Sequence, residues 1–272
     1  MTLPRTIGII GGNGWLGRAI GRAMLEAELV QASSLTVSCR SGASDAFADW
    51  PQVFWTADNQ ELVRRSAVVI VSVRPEQFPA VEIDASEKLV ISLMAGVSME
   101  TLRTKTCSER VVRAMPNAAA EIKRSYTPWF CSDAVSVADR AIVQALFESC
   151  GKADEVATEA DIDYLTALSG SGPAFPALLA DALLRHALSQ GLSEPVARRA
   201  VESVVCDASQ LIAAPGASPG DIVRSFMAYR GTTDAGLRAM IGAGFTEAVH
   251  AGLTAAVAKA VGMGKYENGV QK

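Results

Sequence analysis

Short β-branched runs alternate with stretches of helical spacing over the first half of the chain. Ile7–Gly11, Ser34–Cys39, Ala67–Val73, Leu89–Met94 and Val111–Met115 are apolar runs of strand length, and Tyr126–Cys131 is a weaker sixth. Between several of them Leu16–Ala32, Glu61–Ser66, Met99–Thr104 and Val137–Cys150 read as helices. Strands that are apolar throughout are buried on both faces, and strands joined by crossover helices pair in parallel. The pattern predicts an α/β fold with a doubly wound, mostly parallel sheet.

From about Thr158 the strand signal stops. Ala/Leu-rich segments follow, read as helices over Ala160–Leu168, Pro173–Gln190, Glu194–Ala213, Pro219–Tyr229, Asp234–Ala243 and Phe245–Val261. The change of period predicts two domains, 1–157 and an all-helical 158–272. The last helix is apolar around much of its circumference, which calls for burial against another element or a second subunit. The helical domain is therefore expected to dimerise.

Composition narrows the function. Of 272 residues 49% are hydrophobic and 20% charged, the usage of an ordinary folded protein. Twenty-five basic against 29 acidic residues leave a net charge of −4, so no electrostatic source for nucleic-acid binding exists. The apolar runs fall short of the ~18–20 residues of a bilayer span, so no membrane association is expected. The chain opens Met-Thr-Leu-Pro-Arg and runs straight into the first strand, read as a cytoplasmic protein without a targeting segment. Five cysteines lack any CxxC spacing and the histidines are two, His186 and His250. No metal site is expected, and the chemistry is expected to reside on an organic cofactor.

The strongest motif follows the first strand. Gly12, Gly14 and Gly17 form G-x-G-x-x-G between a strand and a helix, the context of a Rossmann dinucleotide site. Gly12 is assigned to the tight turn, Gly14 to close approach of a pyrophosphate, and Gly17 to helix packing. A glycine turn without ligand is the alternative. An NAD site usually carries Asp or Glu at the end of the second strand; this chain has Arg40-Ser41 there. A guanidinium fork and a hydroxyl suit the 2′-phosphate of NADP, unless Arg40 is a solvated surface residue.

Further blocks resemble pyrroline-5-carboxylate reductases. Val68–Pro75, Leu89–Val97 and Arg113-Ala114-Met115-Pro116-Asn117 look like that family's third-strand, "LVISIAAGV" and "RxMPN" segments. Thr166–Phe175 (TALSGSGPAF) and Gly231–Leu237 (GTTDAGL) match its two most specific blocks. The resemblance implies NADPH-dependent hydride transfer to the C=N carbon of a cyclic imine carboxylate, giving proline. It implies a Rossmann domain and a helical domain that pairs into a homodimer, with rings of dimers in some members. It assigns Gly12, Asn13, Gly14, Trp15, Leu16, Gly17, Arg40, Ser41, Asn59, Val73, Arg74, Pro75 and Asn117 to the cofactor. Gly231, Thr232 and Thr233 fall to the substrate carboxylate, with Thr166 and Thr233 beside the reacting bond. Thr233 also reads as an N-cap of the helix that follows.

The chain departs from the family in three places. Ala118-Ala119-Ala120 replace the Thr-Pro that follows Met-Pro-Asn, Ala228-Tyr229-Arg230 replace Ser-Pro-Gly before Gly231, and one extra residue precedes the glycine motif. Another cyclic imine, or an NADP-binding sensor without turnover, is the alternative function. Dehydrogenases of the 3-hydroxyacid kind use a lysine in the second domain, and no lysine occurs between Ala153 and Ala258.

Overall fold

A computed structural model describes residues 6–40, 42–214, 216, 218–263, 266–267 and 270–271. The chain forms two compact units, one running to Ser171 and taking in Ala256 onward, the other Gly172–Ala255.

The first unit is built on eight strands, β1 (Ile7–Ile10), β2 (Leu35–Ser38), β3 (Phe54–Thr56), β4 (Val68–Val71), β5 (Leu89–Ser92), β6 (Val111–Ala114), β7 (Ser125–Cys131) and β8 (Gly151–Glu155). They lie in the order β3-β2-β1-β4-β5-β6-β7-β8. All neighbours are parallel except β6 and β7. A parallel return needs a crossover of a dozen or so residues, and Met115–Arg124 supplies only a 3-10 turn, Ala118–Ile122, ended by Lys123 in the left-handed region. The chain therefore doubles back.

Helices α1 (Trp15–Glu26), α2 (Asn59–Arg65), α3 (Met99–Thr106) and α4 (Val137–Glu148) cover the sheet. Alternate strand residues divide between two cores: Ile9, Val37, Ile70 and Ile91 with Met24 and Phe147 on one side, Val69, Val71 and Val90 with Leu62 and Leu102 on the other. Side-chain caps fix the starts of α2, α3 and α4 and of the helix that follows β8. Asp58 caps α2, Ser98 caps α3, and Ser136 forms a capping box with Asp139 for α4. Thr158 does the same with Asp161 for α5 (Glu159–Leu165).

The doubly wound, mostly parallel sheet is as expected, and so are six of its strands. The edge strands β3 and β8 were not anticipated. β3 has three half-buried residues, and β8, Gly-Lys-Ala-Asp-Glu, buries only Ala153. Neither has an apolar period, because an edge strand is held by ladder hydrogen bonds rather than by burial. Gly151 is required where β8 meets β7, since a Cβ there would lie 1.9 Å from the Ser125 carbonyl oxygen.

The expected division at 157/158 differs from that of the compact units, which falls at 171/172. Arg113 of β6 pairs with Glu159 and Asp163 of α5, tying the first helical segment to the sheet.

The second unit holds α6 (Ala174–Ser189), α7 (Glu194–Glu202), α8 (Pro219–Ala228), α9 (Thr232–Gly242) and most of α10 (Phe245–Met263). The expected helix over Glu194–Ala213 is broken into α7, a π turn (Ser203–Asp207) and a 3-10 turn (Ala208–Ala213). Among the described residues of this unit Ala197 is the only buried apolar one, while Leu178 is 71% exposed. The run Glu159–Ser189 also exceeds the expected limit on apolar length: it is long and apolar enough to cross a bilayer by length and composition. It carries Glu159, Asp161 and Asp163 in its first turns and an Asp181–Arg185 pair, 2.9 Å apart, further on. Strands β9 (Tyr266–Glu267) and β10 (Val270–Gln271) form a short antiparallel pair.

Asp139 offers a pH-dependent test of the packing. Burial pushes its carboxyl up, but bonds from the Ser136 hydroxyl and from Arg110, at 3.0 Å, outweigh this and hold it below the usual range. The ionised form thus favours the fold, an effect present above the unfolded value of about 3.9 and lost as pH falls through the lower folded value. Asp139→Asn is expected to cost about 1–3 kcal/mol at pH 7. In thermal melts the gap to wild type should narrow below pH 4.

Candidate active site

The strand order reverses between β1 and β4, and the crevice opens where their carboxyl ends part. Ile10 is the last paired residue of β1, its carbonyl accepting from Ser72 N at 2.9 Å. The chain must turn at once. Gly11 does so with φ +75°, donating its N–H to Ser38 O at 3.0 Å; a Cβ there would lie 2.7 Å from Ser72 O. The tight turn expected of Gly12 therefore belongs to Gly11, and Gly12 lies against Val37 of β2. The extra residue shifts the working frame to Gly11, Gly14 and Gly17. A Cβ on Gly17 would come within 2.9 Å of Gly12 Cα, so this glycine lets α1 start close to the loop.

Unlike α2 to α5, α1 begins without a side-chain cap. Gly14 is its N-cap, and no acid occupies its first turn. Its leading amides and dipole are open to an anion.

A cavity of about 620 Å³ lies beside this turn and gathers Gly14, Arg40, Asn59, Val73 and Arg74 from the expected cofactor residues. Gly11, Ser38, Cys39, Ser72 and Gln77 also line it and were not expected. Ser38 and Ser72 end or follow β2 and β4, so strand ends were the signal for them. Ser38 Oγ donates to Asn59 Oδ1 at 2.7 Å, which leaves the Asn59 amide hydrogens for a ligand. Arg40 and Arg74 are exposed. Glu76 is the carboxylate on the wall.

The other expected residues lie elsewhere. Pro75 opens the 3-10 turn Pro75–Ala80. Trp15 is exposed and Leu16 packs against the core. Asn13 accepts from Ser44 Oγ at 2.7 Å and lines a separate cleft. Ser41 lies outside the described residues.

A second cluster forms where β6 ends. Asn117 donates its N–H to Ser125 Oγ at 3.0 Å, accepts from Ala119 N at 3.0 Å, and donates from Nδ2 to Ser169 O at 3.1 Å. Ser169 belongs to a π turn, Thr166–Gly170, that continues α5. Asn117 and the Thr166 segment are thus joined. The Thr166 hydroxyl is nearly buried and donates to Ile162 O at 2.7 Å. Ser169 and Ser171 likewise bond backbone carbonyls of their own turn, as helix and turn residues do.

In the second unit α9 also starts uncapped. Gly231 is its N-cap and the first helical bond runs from Ala235 N to Gly231 O at 3.2 Å. Thr233 is the second helical residue, so it is not the N-cap that the sequence allowed. Asp234 is held by Arg238 Nε at 2.8 Å. Arg230 has φ +54°, at the place where the family pattern has glycine. An arginine there costs about 1–2 kcal/mol of backbone strain.

These features define a Rossmann-type dinucleotide-binding oxidoreductase with a helical second unit. Residues 6–96 match the family model described as NADP oxidoreductase, coenzyme F420-dependent, and residues 159–263 match that of pyrroline-5-carboxylate reductase dimerisation. The pyrroline-5-carboxylate reductase of Synechocystis is 30% identical over 95% of this chain and 98% of its own. A pyrroline-5-carboxylate reductase structure from Coxiella burnetii has a TM-score of 0.83 at 26% identity, covering 96% of this chain and 99% of its own. That from Plasmodium falciparum, with NADP bound, has 0.84 at 22%, covering 97% and 100%. The chain belongs to the pyrroline-5-carboxylate reductase family.

The glycine frame is testable by stability alone. Gly11→Ala forces a left-handed residue against Ser72 O and is expected to cost about 1–3 kcal/mol. Gly14→Ala, whose Cβ would lie 3.1 Å from Gly11 O, needs only a small shift. Denaturant unfolding should rank Gly11→Ala as the more damaging of the two.

Proposed function

We propose that this protein is an NADPH-dependent reductase of a cyclic imine carboxylate, converting 1-pyrroline-5-carboxylate to L-proline. The crevice carries the reading, with its glycine turn, open α1 N-terminus and Arg40 where β2 ends. The relatives named as pyrroline-5-carboxylate reductases and the NADP bound to the Plasmodium relative support it.

The residues present fit the coenzyme. Gly11 and Gly14 line the cavity beside the uncapped start of α1, and no carboxylate ends β2 to repel a 2′-phosphate. Gly11, Gly14 and the first amides of α1 would take the pyrophosphate, Arg40 the 2′-phosphate, and Asn59, Val73 and Arg74 the adjoining sugar and walls. When bound, the dinucleotide supplies the hydride.

The chain's own groups then have two tasks. The open amides of α9 at Thr232 and Thr233 hold the carboxylate as a helix N-terminus holds any anion. The Thr166 oxygen, its proton committed to Ile162 O, has lone pairs left to accept from a protonated imine N–H, and Thr233 offers a second hydroxyl. A positive imine carbon accepts hydride without leaving an anion on nitrogen, so a histidine acid is unnecessary.

Residues 1–157 form the coenzyme-binding domain of this proposal and 158–272 the substrate and dimerisation domain. The exposed apolar surface of the second unit is covered by another copy of the chain, in a homodimer or a ring of dimers. A cytoplasmic setting agrees with cysteines that stand as thiols at Cys107, Cys131, Cys150 and Cys206.

The test is oxidation of NADPH, followed by absorbance, with pyrroline-5-carboxylate and a panel of other cyclic imines. Turnover of pyrroline-5-carboxylate is expected. Turnover of another imine alone would reassign the substrate, and coenzyme binding without turnover would make the protein a sensor. Arg40→Ala should raise KM for NADPH about tenfold or more and leave that for NADH nearly unchanged. Equal effects on both coenzymes would remove the 2′-phosphate assignment. Thr233→Ala should lower kcat or imine affinity while NADPH binding, read by fluorescence, stays at the wild-type level.

A further inference from the structure

Arg113 is a buried cation on β6, its side chain 3% exposed. Nη1 donates to Glu159 Oε1 and Nη2 to Asp163 Oδ1, both at 2.7 Å. The two carboxylates stand one turn apart on α5, hence on one face of it. Glu159 Oε1 also accepts from Met99 N, the first amide of α3, at 2.8 Å. The third donor, Arg113 Nε, is buried with no partner.

That orphaned N–H argues against simple charge neutralisation. A lysine would answer the carboxylates without burying a planar group one of whose donors goes unused. What the guanidinium adds is a rigid fork that grips two points of one helix and so fixes both its rotation and its height. Two contacts continue the line. Met115 follows Arg113 on the same strand face, and its Cγ is the nearest neighbour, at 3.2 Å, of a Cβ placed on Gly170. Asn117 then donates to Ser169 O at 3.1 Å. Strand and helical segment are thus joined at the ion cluster and again at Ser169-Gly170, and Thr166 lies in sequence between the two. At this level the helix changes from α to π winding, which displaces the residues after it and makes the register consequential.

We propose that Arg113, with Glu159 and Asp163, is a positioning residue for imine reduction, setting the register in which α5 and the π turn after it hold Thr166, the turn being joined to Asn117 through Ser169. This inference rests on the function proposed above for the role of Thr166. The coupling between the ion cluster and the π turn can be read without it.

The experiment uses the full chain as it assembles. Arg113→Lys keeps the charge and loses the fork. A triple variant, R113M/E159Q/D163N, removes all three charges together and leaves neither half-buried carboxylate without its partner. Asp163→Asn, which retains the Glu159 contact, is the mildest probe and stands in if either of the others fails to fold. Arg113→Lys and the triple variant are expected to lower kcat about 10- to 100-fold, as a misplaced reacting geometry does, and Asp163→Asn by less. KM for NADPH should stay within about twofold of wild type. Amide exchange should quicken in peptides covering 163–171 and not in those covering β1 and β2. A fall in melting temperature with wild-type kcat in the folded variants would reduce the cluster to a structural tie and overturn the proposal. So would recovery of kcat in the triple variant. If the wild-type protein reduces no cyclic imine, the functional reading fails and with it the role in reduction; quickened exchange at 163–171 then supports only the coupling of the ion cluster to the π turn, and unchanged exchange overturns that as well.

Discussion

The first unit depends on a sheet buried on both faces around β1. Because Ile7, Ile9, Val69, Val71 and their neighbours have no solvent-facing side, the sheet meets solvent only along its two edges and at the strand ends. At the carboxyl ends of β1, β2 and β4 the backbone leaves the ladder, and the strand order reverses, so no crossover covers the gap. The turn at Gly11, the uncapped start of α1 and the cavity bearing Arg40 and Arg74 all occupy that one place. The other sheet-covering helices are closed by Asp58, Ser98 and Ser136, which makes the open end of α1 a feature of the site rather than of the fold's habits.

At the β6 end of the sheet a buried charge joins the apolar packing. β6 faces α5 with an arginine, and the cluster of Arg113, Glu159 and Asp163 joins the first helical segment to the strands. The placement of Glu159 at the start of both α5 and α3 favours its negative charge, since both helix ends carry partial positive charge. Thr166 is thereby carried by the sheet unit, whereas Gly231, Thr232 and Thr233 belong to the other. The second unit has almost no buried core of its own among its described residues, and its apolar helices are intelligible as one half of an interface.

Six strands, four sheet helices and most helices of the second half were legible in the sequence, because burial on both faces writes continuous apolar runs and helix starts carry Ser, Thr or Asp. Strands β3 and β8 were not, since ladder bonds to β2 and β7 hold them and these leave no hydrophobic period. The change of period read as a boundary at 157/158 carries no mark of the tie that α5 makes to β6. An ion pair between residues 46 and 50 positions apart has no local signature.

The same distinction governs the site. The sequence by itself determined that a glycine turn follows β1, that arginine stands where an NAD site has a carboxylate, and which family blocks recur, since these are matters of residue type at a place in the chain. Only the tertiary structure decided which glycine makes the turn, because the left-handed conformation falls to whichever residue first leaves the ladder, and Ser72 and Ser38 fix that point at Gly11. It also turned Asn13 toward Ser44 and out of the cavity, and it put Gly231 rather than Thr233 at the cap of α9. These are contests between neighbours for hydrogen bonds and space, and their outcome depends on groups that meet only when the chain has folded.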